Sequence, residues 1–193
     1  MDSNFDLVIF GGTGDLALRK LYPALFLADC DGRLNPSGRI IAAARQSLTD
    51  AEFRAKVSDA LQRFVPKVTS TTPAVQAMRD ACLSRFLARL TYFALDVNNQ
   101  SQYDALKRSL DERDSQTVFY LSVGPTLFPA IIGGLKTAGL NTPDTRIVLE
   151  KPLGHDLASA REINRVVRAS FSETQALRID HYLGKPAVQN LAA

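Results

Sequence analysis

Three short segments of the sequence combine residue types that bind phosphate groups. The first is a glycine-rich turn after an apolar run, made of Gly11, Gly12, Thr13, Gly14, Asp15 and Leu16. A pyrophosphate needs backbone N–H groups with no Cβ in the way, and a glycine turn that opens a helix supplies them together with the positive end of the helix dipole. We therefore expect this turn to bind the phosphates of a dinucleotide coenzyme, although glycine turns also serve plain chain reversals.

The spacing of this turn differs from the usual fingerprint G-x-G-x-x-G. Gly12 and Gly14 match the first two glycines, and Ala17 stands at the third, where the fingerprint accepts alanine. Pro23 cannot lie inside one uninterrupted helix. The sequence therefore predicts a short first turn followed by a second helix, with Pro23 near its first position.

The residues after the second apolar run indicate which coenzyme fits. NAD-binding domains usually place an acid there to receive the ribose hydroxyls, whereas this sequence has Arg45, Gln46 and Ser47. A carboxylate would repel a 2′-phosphate, but a guanidinium binds it through paired charge-assisted hydrogen bonds. The sequence favours NADP, and the alternative is that Arg45 is a surface charge at the end of a strand.

The second segment, Glu150-Lys151-Pro152, follows the fifth apolar run. The residue before a proline favours extended backbone, so this step is expected to aim the side chain of Lys151 into a cleft. A plain turn is the alternative, because a single Lys-Pro step at the end of a strand is common.

The third segment follows the sixth apolar run, where His181, Tyr182 and Lys185 stand close together after Asp180. A phosphate dianion is bound by a cation together with neutral donors, and these side chains supply both. Ligands of open α/β sheets bind at the carboxyl ends of the strands. We expect this group to hold a phosphorylated substrate, the alternative being ordinary exposed polar residues.

Short apolar runs alternate with helical patterns along the chain and predict the sheet that positions these segments. The six predicted strands are 5–10, 39–43, 90–95, 117–122, 146–149 and 176–179. Parallel neighbours need crossover connections, and these are right-handed, so helices should cover both faces. The predicted fold is α/β, a doubly wound, mostly parallel, Rossmann-like sheet. Candidate helix caps are Thr49 with Glu52, Ser101 ahead of 102–110, and Asp156 ahead of 157–169.

Composition and charge exclude several classes of function. The 193 residues are 46% hydrophobic and 22% charged, which is typical of one globular domain. The formal charge of +3 is too small to argue for a nucleic-acid or membrane partner. Cys30 and Cys82 have no metal-like spacing, so no metal site is expected and both are expected to be packing residues. With no secretory leader, a cytoplasmic location is expected.

Together the three segments resemble the glucose-6-phosphate dehydrogenase family. The resemblance rests on residues 11–17 with 19–24, on 150–152 and on 178–185, which read GGTGDLA with RKLYPA, EKP and RIDHYLGK. It runs from the first strand to the last residue. The RIDHYLGK segment is the family's most specific motif.

The resemblance implies NADP-dependent oxidation of glucose 6-phosphate to 6-phosphogluconolactone, the first step of the pentose phosphate pathway. The coenzyme phosphates would lie at Thr13, Gly14, Asp15 and Leu16, and the adenosine end at Arg45 and Gln46. Lys151 would lie between coenzyme and sugar, with a cis peptide bond before Pro152. The sugar phosphate would be held by His181, Tyr182 and Lys185.

The resemblance also implies what this sequence lacks. The family's catalytic base is a histidine beyond the region covered here, and Asp180 resembles the carboxylate that orients it. His155 is expected to be exposed or to cap the following helix. Residues 1–193 are expected to form one dinucleotide-binding domain that ends at the start of the helix after RIDHYLGK. The family's second β+α domain, which carries most of the homo-oligomer interface, would be missing, leaving a truncated chain of low or no activity alone.

Two alternatives stay open. One is a noncatalytic NADP-binding module that acts in a complex with another polypeptide. The other is a relative of the broad sugar oxidoreductases that carry Glu-Lys-Pro after a Rossmann strand, although those proteins lack the RIDHYLGK segment.

Overall fold

A six-stranded parallel sheet forms the centre of the computed structural model, which describes residues 4–66 and 72–180. The strand order is β3-β2-β1-β4-β5-β6. The strands are β1 (Phe5–Phe10), β2 (Arg39–Ala44), β3 (Leu90–Ala94), β4 (Gln116–Leu121), β5 (Arg146–Glu150) and β6 (Ala176–Ile179). The predicted doubly wound sheet is confirmed, and each strand boundary lies within about one residue of its prediction.

Helices cover both faces of this sheet. One face carries α1 (Tyr22–Cys30), α2 (Asp50–Phe64) and α3 (Pro73–Ala88), and the other carries α4 (Gln100–Asp111), α5 (Phe128–Thr137) and α6 (Leu157–Arg168). Successive residues of β1 point to opposite faces, so Val8 and Phe10 enter one apolar core and Ile9 enters the other. Burial on both sides explains why the strand reads as a continuous apolar run rather than an alternating one.

The first helix begins with a separate short turn, as predicted from the position of Pro23. A π-helical turn, Ala17–Leu21, leads into α1, and the Tyr22 N–H donates to the carbonyl of Ala17. Pro23 then lies in the first turn of α1, where its missing N–H leaves no helical hydrogen bond broken. The helix type therefore changes just before the proline, from a π-helical turn to the α-helix.

Two of the three predicted caps are confirmed. The Glu52 N–H donates to Thr49 Oγ1 at 3.2 Å and the Thr49 N–H donates to Glu52 Oε2 at 2.8 Å, which completes a capping box on α2. Hydrogen bonds from Thr49 hold the pKa of Glu52 below its usual value. At α6 the Ser159 N–H donates to Asp156 Oδ1 at 2.7 Å.

The cap predicted at Ser101 was wrong. Helix α4 begins at Gln100, so Ser101 lies inside its first turn, and its hydroxyl donates to Asn99 Oδ1 at 2.8 Å. The Gln102 side chain accepts a hydrogen bond from the Asp96 N–H at 2.6 Å, which joins the first turn of the helix to the end of the preceding strand. Sequence pattern alone does not show such a contact.

Cys30 and Cys82 form a disulfide with a Cα–Cα distance of 5.7 Å, so the prediction of two separate packing residues was wrong. They are 52 residues apart in sequence and meet only because α1 packs against α3. Disulfides persist mainly in oxidising compartments, so the expectation of a reducing cytoplasm loses the support it drew from unpaired cysteines. Among the described helices, none has the length and apolar character of a membrane span.

A buried ion pair joins the amino ends of the central strands. The fully buried Asp6 accepts two hydrogen bonds from the Arg39 guanidinium, each at 3.0 Å, and a third from Ser115 Oγ at 2.7 Å. These contacts tie β1 to β2 and to the residue before β4. This cluster lies at the end of the sheet opposite the glycine turn.

Replacement of Asp6 by alanine should lower the free energy of unfolding by about 3–5 kcal/mol, because the mostly buried Arg39 loses its carboxylate partner and keeps only the hydrogen bond that it donates to Ser109 O. Urea denaturation measures the change. Asp31→Ala is the matched control, since it removes an exposed pair with Arg33 and should change stability by less than about 1 kcal/mol. Equal losses in the two variants would contradict this assignment.

Candidate functional site

The glycine turn is wedged between β2 and the end of β4. Gly11 has a φ of +75°, and a Cβ on it would overlap the Ser122 carbonyl and lie 2.6 Å from Val123 Cγ1. A Cβ on Gly12 would lie 2.6 Å from the Cβ of Ala42. The two glycines therefore allow the chain to pack closely against the sheet, and the fold requires this packing whether or not a ligand binds.

A buried tyrosine holds the turn from the helix side. Tyr22 Oη donates to the carbonyl of Gly12 at 2.8 Å, and Tyr22 is fully buried. Burial raises the pKa of the Tyr22 phenol, so the phenol is protonated at neutral pH and can donate this hydrogen bond. Sequence reasoning missed this contact because a tyrosine at this position looks like any other core residue.

Some backbone N–H groups in and after the turn have an acceptor in the described residues, and others have none. The Gly14 N–H donates to Gly11 O at 2.8 Å, and the Leu18 N–H donates to Gly14 O at 3.0 Å. Across residues 4–66 and 72–180, no acceptor is found for the amides of Thr13, Asp15 and Leu16. Unpaired N–H groups at the start of a helix, together with its dipole, form an anion site.

The side chain of Asp15 does not cancel this site. Its carboxylate is exposed and pairs with Arg19 at 3.4 Å, one helical turn further on. The negative charge is thereby balanced locally, and the contribution of Asp15 to an anion comes from its backbone N–H.

Arg45 and Gln46 lie at the carboxyl end of β2, beside the glycine turn, and both are exposed. Tyr92 Oη donates to the carbonyls of Ala44, at 3.1 Å, and Gln46, so the backbone is held while the side chains stay accessible. Within the described part of the chain the Arg45 guanidinium has no hydrogen-bond or ion-pair partner. It is a cation available to a ligand at the carboxyl end of β2.

Lys151 and Asp180 lie at the carboxyl ends of β5 and β6. Their Nζ and Oδ2 atoms are 3.7 Å apart, and the side chains are 53% and 26% exposed. The Lys151 N–H donates to Ile179 O at 2.9 Å, so the strand pairing itself brings the two residues together. The Lys151–Pro152 peptide bond is cis, which confirms the expectation taken from the family resemblance.

A tyrosine on β4 holds the residue just before Lys151. Tyr120 Oη donates to Glu150 Oε1. Burial, together with this carboxylate, raises the pKa of Tyr120, so the phenol stays protonated. The contact was not predicted from sequence, because only the pairing of β4 with β5 brings the two positions together.

The structure brings most of the candidate residues to one edge of the sheet. Because every strand pair is parallel, the glycine turn, Arg45, Lys151 and Asp180 all lie at carboxyl ends. His155 is exposed, as expected, and its N–H donates to Ser159 Oγ at 3.0 Å, while Asp156 is the residue that caps α6. The remaining candidates lie outside the described residues: His181, Tyr182 and Lys185.

A family model described as "Glucose-6-phosphate dehydrogenase, NAD binding domain" matches residues 8–190. The chain belongs to the glucose-6-phosphate dehydrogenase family. Its fold and its glycine turn agree with a nucleotide-binding domain of that family.

Curated relatives support the same assignment. The glucose-6-phosphate 1-dehydrogenase of Mycolicibacterium smegmatis is 47% identical over 191 residues, which cover 96% of this chain and 37% of the relative. That of Rhizobium meliloti is 44% identical over 190 residues, which cover 98% of this chain and 37% of the relative. The chain thus spans less than half the length of these glucose-6-phosphate dehydrogenases.

Solved structures of the family have the same fold. A glucose-6-phosphate dehydrogenase in complex with its substrate glucose-6-phosphate matches with a TM-score of 0.83 and 36% identity, over 98% of this chain and 39% of that one. The glucose-6-phosphate 1-dehydrogenase of Mycobacterium avium matches with a TM-score of 0.79 and 32% identity, over 98% of this chain and 42% of that one.

Gly12→Ala should destabilise this domain by about 1–3 kcal/mol, because the new Cβ would meet the backbone of β2. Gly133→Ala is the control: Gly133 is exposed in α5 with nothing within 4 Å of the added Cβ, and the change should stabilise by about 0.5–1 kcal/mol. Urea denaturation distinguishes them. Similar stabilities for the two variants would rule out close packing at Gly12.

Proposed function

We propose that this chain is the coenzyme-binding part of an NADP-dependent glucose-6-phosphate dehydrogenase. The proposal is carried by a set of amides at the start of the helix after β1, next to the Arg45 guanidinium at the end of β2, for which the described residues offer no partner. One site for a diphosphate and one for a second phosphate lie side by side. NADP has phosphates in that arrangement, and NAD lacks the second.

The residues proposed to bind the coenzyme are those whose hydrogen-bond donors have no partner in the described residues. The amides of Thr13, Asp15 and Leu16 bind the pyrophosphate. A Cβ on Gly14 would meet only one protein atom, Gly11 O at 3.0 Å, so the rest of the space beside Gly14 is open to the ligand. Arg45 pairs with the 2′-phosphate, and Gln46 lies beside it at the adenosine end. A guanidinium and a phosphate form paired charge-assisted hydrogen bonds, which fits the absence of an acid at this strand end.

Lys151 is the residue proposed to lie between the coenzyme and the sugar. It is half exposed and paired with Asp180, so it is able to exchange the carboxylate for a ligand oxygen. The contact between Tyr120 and Glu150 fixes the residue before it. His181, Tyr182 and Lys185 are proposed to bind the sugar phosphate, which the chemistry of their side chains supports.

The proposed reaction is oxidation of the C1 hydroxyl of glucose 6-phosphate to the lactone. The bound coenzyme supplies a hydride acceptor, and a base must remove the hydroxyl proton. Asp180 is proposed to orient that base and to stabilise its protonated form. The only histidine in the described residues, His155, is exposed at the start of α6, so we propose that these residues bind coenzyme and give little turnover by themselves.

Arg45→Ala should weaken NADP binding about 10- to 100-fold, because a charge-assisted hydrogen-bond pair to the 2′-phosphate is lost, and should leave NAD affinity unchanged. Calorimetric titration of the purified chain with each coenzyme measures both. Arg161→Ala, an exposed arginine of α6, is the control and should bind both coenzymes like the wild type. Equal losses for NADP and NAD would exclude a role in recognising the 2′-phosphate.

Turnover is tested separately by following NADPH absorbance in a mixture of chain, NADP and glucose 6-phosphate. The expected rate is a small fraction of that of the M. smegmatis relative under the same conditions. A comparable rate would overturn the proposal of low activity. Binding of NADP without turnover, together with a stable complex with another polypeptide, would favour a noncatalytic module.

A further inference from the structure

The disulfide between Cys30 and Cys82 joins the last residue of α1 to the middle of α3, and its two cysteines differ in exposure. Cys30 is exposed, whereas Cys82 is buried. A thiol in solution therefore meets the disulfide from the Cys30 side. The rate of thiol–disulfide exchange depends on this access and on how readily the other sulfur leaves as a thiolate.

A guanidinium lies beside the sulfur that would leave. Arg85 Nη2 donates to Cys82 Sγ at 3.4 Å, and the Arg85 side chain is half exposed. The same guanidinium pairs with Asp29 Oδ2 at 3.3 Å, and Asp29 pairs with Arg89 as well, so two cations share one carboxylate. Positive charge beside a cysteine sulfur stabilises its thiolate form.

The half of α3 before Cys82, residues 73–81, packs weakly on the rest of the domain. None of these residues is buried, and Met78 is 76% exposed. A cavity of about 600 Å³ lies between this half and α2, and the Arg79 side chain reaches across with a hydrogen bond to Pro66 O at 3.3 Å. The disulfide at Cys82 is therefore the nearest firm attachment of residues 73–81.

The half of α3 after Cys82 has attachments of its own. Phe86 is fully buried and packs edge-on against Phe26, with 5.6 Å between the ring centroids. Arg89, just after the helix, pairs with the buried Asp29 and donates to Gly38 O at 2.8 Å. Because these contacts do not involve the disulfide, they hold this half of α3 against α1 without it.

We propose that Cys30–Cys82 is a reversible redox site whose reduction releases residues 73–81. A thiolate of a dithiol reductant attacks Cys30 Sγ, and the electron pair of the disulfide bond leaves on Cys82 Sγ beside Arg85. The second thiolate of the dithiol then attacks its own sulfur in the mixed disulfide and releases Cys30. Two electrons and two protons pass from the dithiol to the two cysteines, and the oxidised dithiol reverses the exchange.

The released segment is remote from the candidate site at the carboxyl ends of the strands. Cys30 is at the opposite end of α1 from Tyr22, which holds the glycine turn. Arg89 binds the loop before β2, at the amino end of that strand. Reduction should therefore loosen residues 73–81 and leave the glycine turn in place. This redox site does not rest on the proposed function.

Limited proteolysis with trypsin tests the release. Dithiothreitol should speed cleavage after Arg79 about tenfold or more, because a protease cuts a helix only where the helix opens. Cleavage after Arg108, exposed in α4 on the other face of the sheet, is the internal reference and should increase less. The Cys30→Ser/Cys82→Ser double variant should be cut like the reduced wild type, with or without dithiothreitol. The Tm of the reduced chain should be about 5–15 °C lower.

The rate of reduction distinguishes a redox site from a disulfide that is reached only on unfolding. In the folded chain the rate should stay nearly constant with urea below the unfolding transition. Arg85→Gln should slow reduction about three- to tenfold, and Arg85→Lys, which keeps the charge, should restore most of the rate. Arg33→Gln is the matched control, since this exposed arginine pairs with Asp31 beside Cys30, and it should leave the rate unchanged.

Three results would overturn the proposal. The first is a reduction rate that rises with urea as steeply as the unfolding equilibrium does. The second is an equal increase in cleavage after Arg79 and Arg108, which would indicate global loosening. The third is an affinity for NADP that falls on reduction in calorimetric titration, since the release would then extend to the glycine turn. An oxidised chain that binds no NADP would instead refute the proposed coenzyme site, and the proteolysis and reduction rates would still decide the redox site.

Discussion

The candidate site at the carboxyl ends of the strands depends on one constraint, which is that no side chain fits beside Gly11 or Gly12. The turn lies against β2 on one side and against the end of β4 on the other, and Tyr22 holds it from the first helix. This packing holds the turn in place, and in the described part of the chain the first amides of the helix that follows have no acceptor. With any larger residue at Gly12 the turn would have to move away from β2, and those amides would move with it.

The two edges of the sheet differ in how well their polar groups are paired. At the amino edge Asp6 is fully buried and bound by Arg39 and Ser115. At the carboxyl edge the Ser122 hydroxyl and the helix amides are unpaired within the described residues. A local departure from full pairing is typical of binding sites.

Much of the fold follows from local patterns in the sequence, and the failures share one cause. The strands are short apolar runs between turn residues, and Thr49 and Asp156 cap helices through contacts three residues away, so local sequence is sufficient. The disulfide between Cys30 and Cys82 depends on contacts between distant segments, as does the contact from Tyr22 to Gly12.

Amide hydrogen exchange with and without NADP tests the central claim most directly, because the claim concerns particular N–H groups. Binding should slow exchange at the amides of Thr13, Asp15 and Leu16, which have no acceptor within the described structure. The Gly14 amide, already bonded to Gly11 O, serves as an internal reference and should change less. Saturation with NADP that leaves the exchange of all three amides unchanged would contradict the account.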